Sequence, residues 1–199
     1  MAPFPHLTVV NADILRLSPL ELLSRHLPGP LPPYKVVANL PYLIASPALR
    51  LFLEADHKPQ RMVVMLQKEV AQRMVAQPGN MSLLSVSVQF YGRPRIVAYV
   101  PPRSFYPSPK VTSAILAIDP HPQLAVAPDG VARFFAVVRA GFSAPRKQIH
   151  NALCHGLGLE PNEAAAMLHQ AAIDARRRAE SLSLAEWGEL YQAWTNMRE

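Results

Sequence analysis

Asn39-Leu40-Pro41-Tyr42 closes an apolar run, Val36-Val37-Ala38, with an amide, a proline and a phenol ring. That combination suits chemistry on a planar amino group. An exocyclic amine on adenine, or an amide nitrogen, delocalises its lone pair and attacks electrophiles poorly. The Asn39 side-chain oxygen and a backbone carbonyl near Leu40 or Pro41 can accept both N–H hydrogens and aim the lone pair at an incoming methyl group. Tyr42 can pack against the ring plane. An ordinary strand-to-helix turn with Asn39 as a local cap is the alternative reading of the same residues. A second stretch, Ser104-Phe105-Tyr106-Pro107-Ser108-Pro109-Lys110-Val111, has prolines at alternate positions. They stiffen an extended loop and hold the Phe105 ring at low entropic cost, as a platform for a flipped base requires. Read alone, the same loop is a rigid hairpin connection with a core Phe.

The elements that must position these groups follow from pattern. Val36-Val37-Ala38 suits a buried strand, and Pro41 cannot extend it because proline offers no N–H and turns Leu40 away from helical angles. A turn at the carboxyl end of a parallel strand places fixed oxygens where ligands bind in open α/β folds. Before it, Leu7-Thr8-Val9-Val10 is a short β-like run ending at Asn11-Ala12-Asp13, and Ser18-Pro19 starts a helix. Residues 28–33, Pro-Gly-Pro-Leu-Pro-Pro, read as loop. After it, Ser46-Pro47 restarts a helix through Leu53, Arg61 to Leu66 is the next buried strand, and a helix runs from about Lys68 to Val75. Strand and helix alternate, which predicts a parallel sheet with helices on its faces. Leu83 to Phe90, Arg95 to Val100 and Val111 to Ile118 read as β-rich runs that add an antiparallel closing hairpin.

Prolines 120, 122 and 128 mark a linker, after which the pattern turns helical. The expected fold class is α/β: a Rossmann-like domain over residues 1–119, a linker over 120–128, and a small all-α domain over 129–199. In the last, Asp129 caps a helix through Phe142, a second runs from near Arg146 to Gly156 and Gly158, and Pro161 starts a third. Ser183-Leu184-Ala185-Glu186 forms a capping box for a final helix carrying Trp187, Leu190, Tyr191 and Trp194. The aromatics read as core.

Composition bounds the partners. Half of the 199 residues are hydrophobic and 17% are charged, which excludes disorder as the main reading. A net charge of +6 favours polyanions, either nucleic acid or an anionic membrane surface. The charge is segregated: Val70 to Ile118 and Gly130 to Leu159 contain no acid, while Arg103, Lys110, Arg146 and Lys147 lie within them. A solvated basic face is the plainer account of each stretch alone. Arg176-Arg177-Arg178 reads equally as a solvated helix end or an RNA contact. Cys154 is the single cysteine, so no intrachain disulfide forms and a reducing compartment is expected. His150, Cys154 and His155 are a weak metal signal, and a helix with one buried thiol is preferred. No apolar run approaches the ~20 residues that cross a bilayer, and Met1 to Leu7 lacks signal-peptide character. The expectation is a cytoplasmic, monomeric protein without metal or membrane.

Taken in order, five segments resemble the small-subunit ribosomal RNA adenine dimethyltransferases (KsgA type): Asn11-Ala12-Asp13; Asn39-Leu40-Pro41-Tyr42; Gln67-Lys68-Glu69-Val70-Ala71-Gln72-Arg73; Phe105 to Val111; and Arg146-Lys147-Gln148-Ile149-His150-Asn151-Ala152-Leu153. Arg177 to Leu184 also fits. The resemblance spans nearly the whole chain from Leu7. It implies transfer of two methyl groups from S-adenosylmethionine to N6 of each of two adjacent adenosines near the 3′ end of small-subunit rRNA, in a pre-ribosomal particle. By this resemblance Asn39, with Leu40 and Pro41, holds the target N6 near the methyl donor, Tyr42 and Phe105 sandwich the adenine, and Asp13 binds the cofactor's adenine amino group. Arg103, Lys110, Arg146 and Lys147 contact RNA, and the helical domain docks it. The family pattern begins with a strand, a Gly-x-Gly-x-Gly turn, a helix and a second strand ending in an acid. None precedes Asp13, so two βα units of ~30 residues each are expected to be missing, S-adenosylmethionine binding to be impaired, and Leu7 to Val10 to lose its sheet neighbour. Two alternatives remain at this level: a non-catalytic pre-ribosome-binding protein, and a large-subunit adenine methyltransferase of macrolide-resistance type.

Overall fold

A computed structural model describes residues 4, 6–27 and 29–198. The expectations for the chain's first residues, for Pro28 in the first loop and for position 199 fall partly outside the described residues. The elements, in chain order, are α1 (Pro19–His26), β1 (Lys35–Asn39), α2 (Ala45–Leu53), β2 (Arg61–Gln67), α3 (Lys68–Met74), α4 (Leu83–Tyr91), β3 (Gly92–Val100), β4 (Ser113–Pro120), α5 (Val131–Phe142), α6 (Ile149–Leu157), α7 (Pro161–Gln170) and α8 (Leu184–Asn196). They divide into two compact units. One comprises the chain through Lys68 with Arg95–Pro120; the other comprises Glu69–Pro94 with the chain from His121.

The first unit is built on a four-stranded mixed sheet in the order β1-β2-β4-β3. β1 runs parallel to β2, in register from Lys35 opposite Arg61 to Asn39 opposite Met65. β4 lies antiparallel to β2, from Met62 opposite Ile118 to Gln67 opposite Ser113. β2 buries Met62, Val64 and Leu66 on one face, the two-residue period of a pleated strand, whereas β4 buries Ala114, Leu116 and Ile118 on one face and Ser113 and Ala117 on the other. Residues Ala45, Ala48, Leu49 and Leu53 make the buried stripe of α2 at helical spacing. Ser18 caps α1, its side chain accepting the Glu21 N–H with Pro19 at the first helical position.

Two expectations for this sheet are corrected. Leu7 to Val10 forms no strand, and Leu7 and Val9 are exposed, with Val9 at 83%. The β-branched residues alone cannot make a strand without a ladder partner, and no described strand lies beside them. β1, expected to be buried, is an edge strand among the described residues, with Val37 81% exposed. Its apolar sequence is that of an interior strand, whereas one of its edges and one face meet water.

The second unit is helical. Here the β-rich reading of Leu83 to Phe90 is wrong: these residues form α4. Ser82 and Ser85 cap the helix reciprocally, and the fully buried Ser85 hydroxyl donates to the Arg73 carbonyl at 2.6 Å. Phe90 then stacks on Phe134 of α5 with centroids 4.6 Å apart. Burial on nearly all sides overrides the β propensity of the valines. Arg93 and Pro94, expected in a turn, already belong to β3, whose place at the sheet edge tolerates proline.

Helices α5 to α8 form the bundle: α5 packs on α6 and α8, and α7 on both α6 and α8. Trp187, Leu190, Tyr191 and Trp194 are buried as expected. α8 carries the Ser183/Glu186 capping box. Asp129, however, caps nothing; it lies in a 3-10 turn, Pro128–Gly130, and α5 follows Gly130 without a side-chain cap. α6 starts at Ile149 rather than near Arg146. Gly156 sits inside it, against Ala140, while Gly158 ends it in the left-handed conformation (φ 66°). Among the described residues no helix is long and apolar enough to cross a membrane, and no group of three or more His, Cys, Asp or Glu side chains is placed to hold a metal.

Candidate active site

β1 delivers Asn39 to the carboxyl end of the sheet. The ladder continues one residue further, with the Leu40 N–H donating to the Met65 carbonyl at 3.2 Å, which fixes the backbone at the turn. Pro41 then stops the strand, as a residue without an N–H must. Its carbonyl accepts the Ile44 N–H at 3.0 Å and closes a 3-10 turn, Tyr42–Ile44, that leads directly into α2. Asn39 is therefore anchored through the backbone on both sides. Its side chain is exposed and makes no hydrogen bond among the described residues. The amide is left available, which the local-cap reading of Asn39 does not explain.

Tyr42 is 37% exposed and its hydroxyl lies 2.9 Å from the Ser113 Oγ at the start of β4. Ser113 is one of the few buried polar residues, 1% exposed, and pairs across the sheet with Gln67. The phenol is thus tied at its far end, so the ring holds one orientation. Sequence reasoning missed Ser113. A hydroxyl at the start of an otherwise apolar strand was the available signal, but only the sheet register brings it to Tyr42.

Opposite the turn stands the proline-rich loop. The Phe105 N–H donates to the Pro102 carbonyl at 3.1 Å, and the residue is extended (φ −124°, ψ 153°) and half-buried. The Tyr106–Pro107 peptide is cis. Asn39, Leu40, Pro41 and Tyr42 from the β1 turn and Phe105, Tyr106, Pro107 and Pro109 from the loop line one open cleft of ≈ 320 Å³. The structure thus brings together Asn39, Leu40, Pro41 and Tyr42 with Phe105, which lies far along the chain from them. Tyr106, Pro107 and Pro109 are lining residues that the motif reading did not single out. Arg103 and Lys110 are exposed at the two ends of the loop segment without lining the cleft.

Other residues from the sequence lie elsewhere. Asp13 is exposed and does not line the cleft. Its carboxylate accepts the Leu15 N–H at 3.0 Å, capping a 3-10 turn, and pairs with Arg16 at 3.5 Å. Lys68 places its ammonium 5.5 Å from the centroid of the Tyr99 ring, within cation–π range. In the helical unit Arg146 and Lys147 are exposed in the turn between α5 and α6. Arg177 is not a solvated helix end. Its guanidinium pairs with Glu186 and donates to the Ser181 carbonyl at 2.6 Å, while its own carbonyl accepts the Ile149 N–H at 2.7 Å. The Arg177 hydrogen bond, with the N–H and hydroxyl of Ser183, lowers the Glu186 pKa to about 2.

The family model for ribosomal RNA adenine dimethylases matches residues 2–195. The chain belongs to that family. It is 49% identical over 194 residues to ribosomal RNA small subunit methyltransferase A of Dehalococcoides mccartyi, covering 96% of this chain and 64% of that protein. It is 37% identical over 195 residues to the protein of the same name from Alkaliphilus oremlandii, covering 96% and 67%. The chain therefore spans less than two thirds of the length of its Dehalococcoides relative. Two crystal structures share the fold: the 23S rRNA methyltransferase ErmE (24% identity, TM-score 0.69, covering 92% of this chain and 70% of that one) and a dimethyladenosine transferase from Plasmodium falciparum (22%, 0.71, covering 82% and 68%). Family membership and the shared fold agree with the α/β methyltransferase architecture expected from the motifs.

Proposed function

We propose that this chain carries the target-base half of an S-adenosylmethionine-dependent rRNA methyltransferase that dimethylates N6 of two adjacent adenosines in small-subunit rRNA. The observation that carries this reading is the single cleft shared by the Asn39–Tyr42 turn and Phe105, in a member of the rRNA adenine dimethylase family. In it the Asn39 amide oxygen accepts one N6 hydrogen and a turn carbonyl, at Leu40 or Pro41, accepts the other. Those bonds orient the nitrogen lone pair out of conjugation with the ring. Tyr42, tethered by Ser113, and Phe105 hold the two faces of the adenine, and base stacking on an aromatic contributes ~1–3 kcal/mol.

The residues present fit S-adenosylmethionine at two points. Asn39 stands at the carboxyl edge of a parallel strand, and the exposed Asp13 carboxylate keeps acceptor capacity beyond its bonds to Leu15 and Arg16. When bound, the cofactor supplies an electrophilic methyl group. Asp13 would accept from its adenine amino group and Asn39 would lie beside the methyl donor. Arg103 and Lys110, with Arg146 and Lys147 in the helical residues 129–199, would contact the phosphates of a pre-ribosomal RNA, their exposure and acid-free surroundings supporting that role. The small-subunit names of the relatives favour this substrate over large-subunit rRNA.

A second reading is RNA holding without turnover. The exposed Arg103, Lys110, Arg146 and Lys147 in acid-free stretches suit it as well as they suit an enzyme. Methyl transfer to undermethylated small subunits separates the two. Activity that Asn39→Ala abolishes supports the enzyme; co-sedimentation with small subunits without methylation, and no calorimetric binding of S-adenosylmethionine at micromolar concentration, supports the holding protein. Preferential methylation of large-subunit RNA would overturn the substrate assignment.

A further inference from the structure

We propose that Tyr106 is a second stacking subsite, for the unpaired base adjoining the one that occupies the Asn39–Phe105 cleft. The inference rests on the target-base reading above and deepens it. Tyr106 is fully exposed, at 102% of its reference area, yet it lines the cleft. Single exposed apolar residues are ordinary on a surface. This one is different in position: it follows directly on Phe105, which is half-buried.

Burial separates the two rings. The chain bends through Phe105, Tyr106 and Pro107; Phe105 is half-buried where it lines the cleft, while Tyr106 stands out into solvent at its rim. A ring set into the cleft and a ring outside it are placed to meet different bases. That matches a substrate in which one base is withdrawn into the cleft while its neighbour is left unstacked at the mouth. Unstacking exposes a face of the neighbour that an aromatic ring can cover. Pro107 and Pro109 stiffen the segment, and tyrosine has only two side-chain torsions to order, so the ring is held out at low entropic cost. Arg103 and Lys110 bracket the segment, in a run without acids from Val70 to Ile118, which suits the phosphates on either side of the displaced base.

The test uses the 199-residue chain and an RNA hairpin whose loop carries two adjacent adenosines, with 2-aminopurine replacing the base next to the target. Wild type and Tyr106→Phe are expected to quench the probe and to bind within about twofold of each other. Tyr106→Ala is expected to lose the quenching and to weaken binding roughly 5- to 150-fold, the range of one stacked base. With the probe at the target position instead, Tyr106→Ala should still quench and Phe105→Ala should not. Unchanged binding and quenching by Tyr106→Ala overturns the subsite while leaving the cleft reading intact. Failure of Tyr106→Phe to restore quenching overturns stacking in favour of a bond to the phenol oxygen. Equal binding of a hairpin with uridines in place of the adenosines, indifferent to Phe105→Ala, overturns the target-base reading and the subsite with it.

Discussion

At the scale of single residues, the cleft depends on tethers as much as on the groups that line it. Asn39 is held by the strand ladder before it and a 3-10 turn after it, and Tyr42 by one hydroxyl pair to Ser113. Removing that tether separates position from chemistry, because Ser113 does not line the cleft. Ser113→Ala is expected to lower stability by about 0.5–1.5 kcal/mol, the net contribution of one hydrogen bond, measured by urea unfolding. It should also weaken binding of an adenosine-containing RNA hairpin, since the Tyr42 ring is then free to turn. Unaltered RNA affinity in Ser113→Ala would show that the tether does not position Tyr42.

At the scale of elements, two glycines in the helical bundle show how packing decides the sign of a substitution. Replacing glycine by alanine inside a helix ordinarily stabilises by about 0.5–1 kcal/mol. At Gly188 in α8 an added Cβ meets nothing within 4 Å, so Gly188→Ala should raise stability by about that amount. At Gly156 in α6 the same atom would come 2.5 Å from the Ala140 Cα of α5, and backbone cannot turn aside as a side chain can. Overpacking of this kind costs about 1–3 kcal/mol and outweighs the propensity gain, so Gly156→Ala should lower stability. Thermal unfolding of the two variants should move in opposite directions. The same logic explains α4: its valines fit a strand by propensity, but capping by Ser82 and burial of Ser85 and Phe90 make it a helix.

For the molecule as a whole, the Arg177–Glu186 pair contributes to the response to acid. It joins the segment before α8 to that helix's first turn, and Glu186 also serves the α8 capping box. Glu186 has a folded pKa of about 2 against an ordinary value of 4.5, so as pH falls the unfolded chain takes up the proton first. The stabilisation is complete above about pH 5 and is lost progressively toward pH 2. With both side chains about one third exposed, 32% and 31%, its size is roughly 1–3 kcal/mol. Glu186→Gln should lower stability at pH 7 and flatten the dependence between pH 5 and pH 2, followed by chemical denaturation across that range. An unchanged slope in Glu186→Gln would place the acid sensitivity elsewhere.

Local structure was legible from order and spacing alone. The stop at Pro41 after an apolar run, the Ser183/Glu186 capping box and the buried stripe of α8 depend on neighbours within a few positions, where backbone geometry is dictated by residue type. What required the tertiary structure was every property created by distant neighbours. Leu83 to Phe90 reads as a strand, yet it is surrounded by aromatic packing and folds as a helix. The Ser113 tether, the outward ring of Tyr106 and the pairing of Arg177 arise the same way. So does the meeting of Asn39 with Phe105, because a sheet register and a loop crossing, not sequence proximity, bring those two side chains to one cleft.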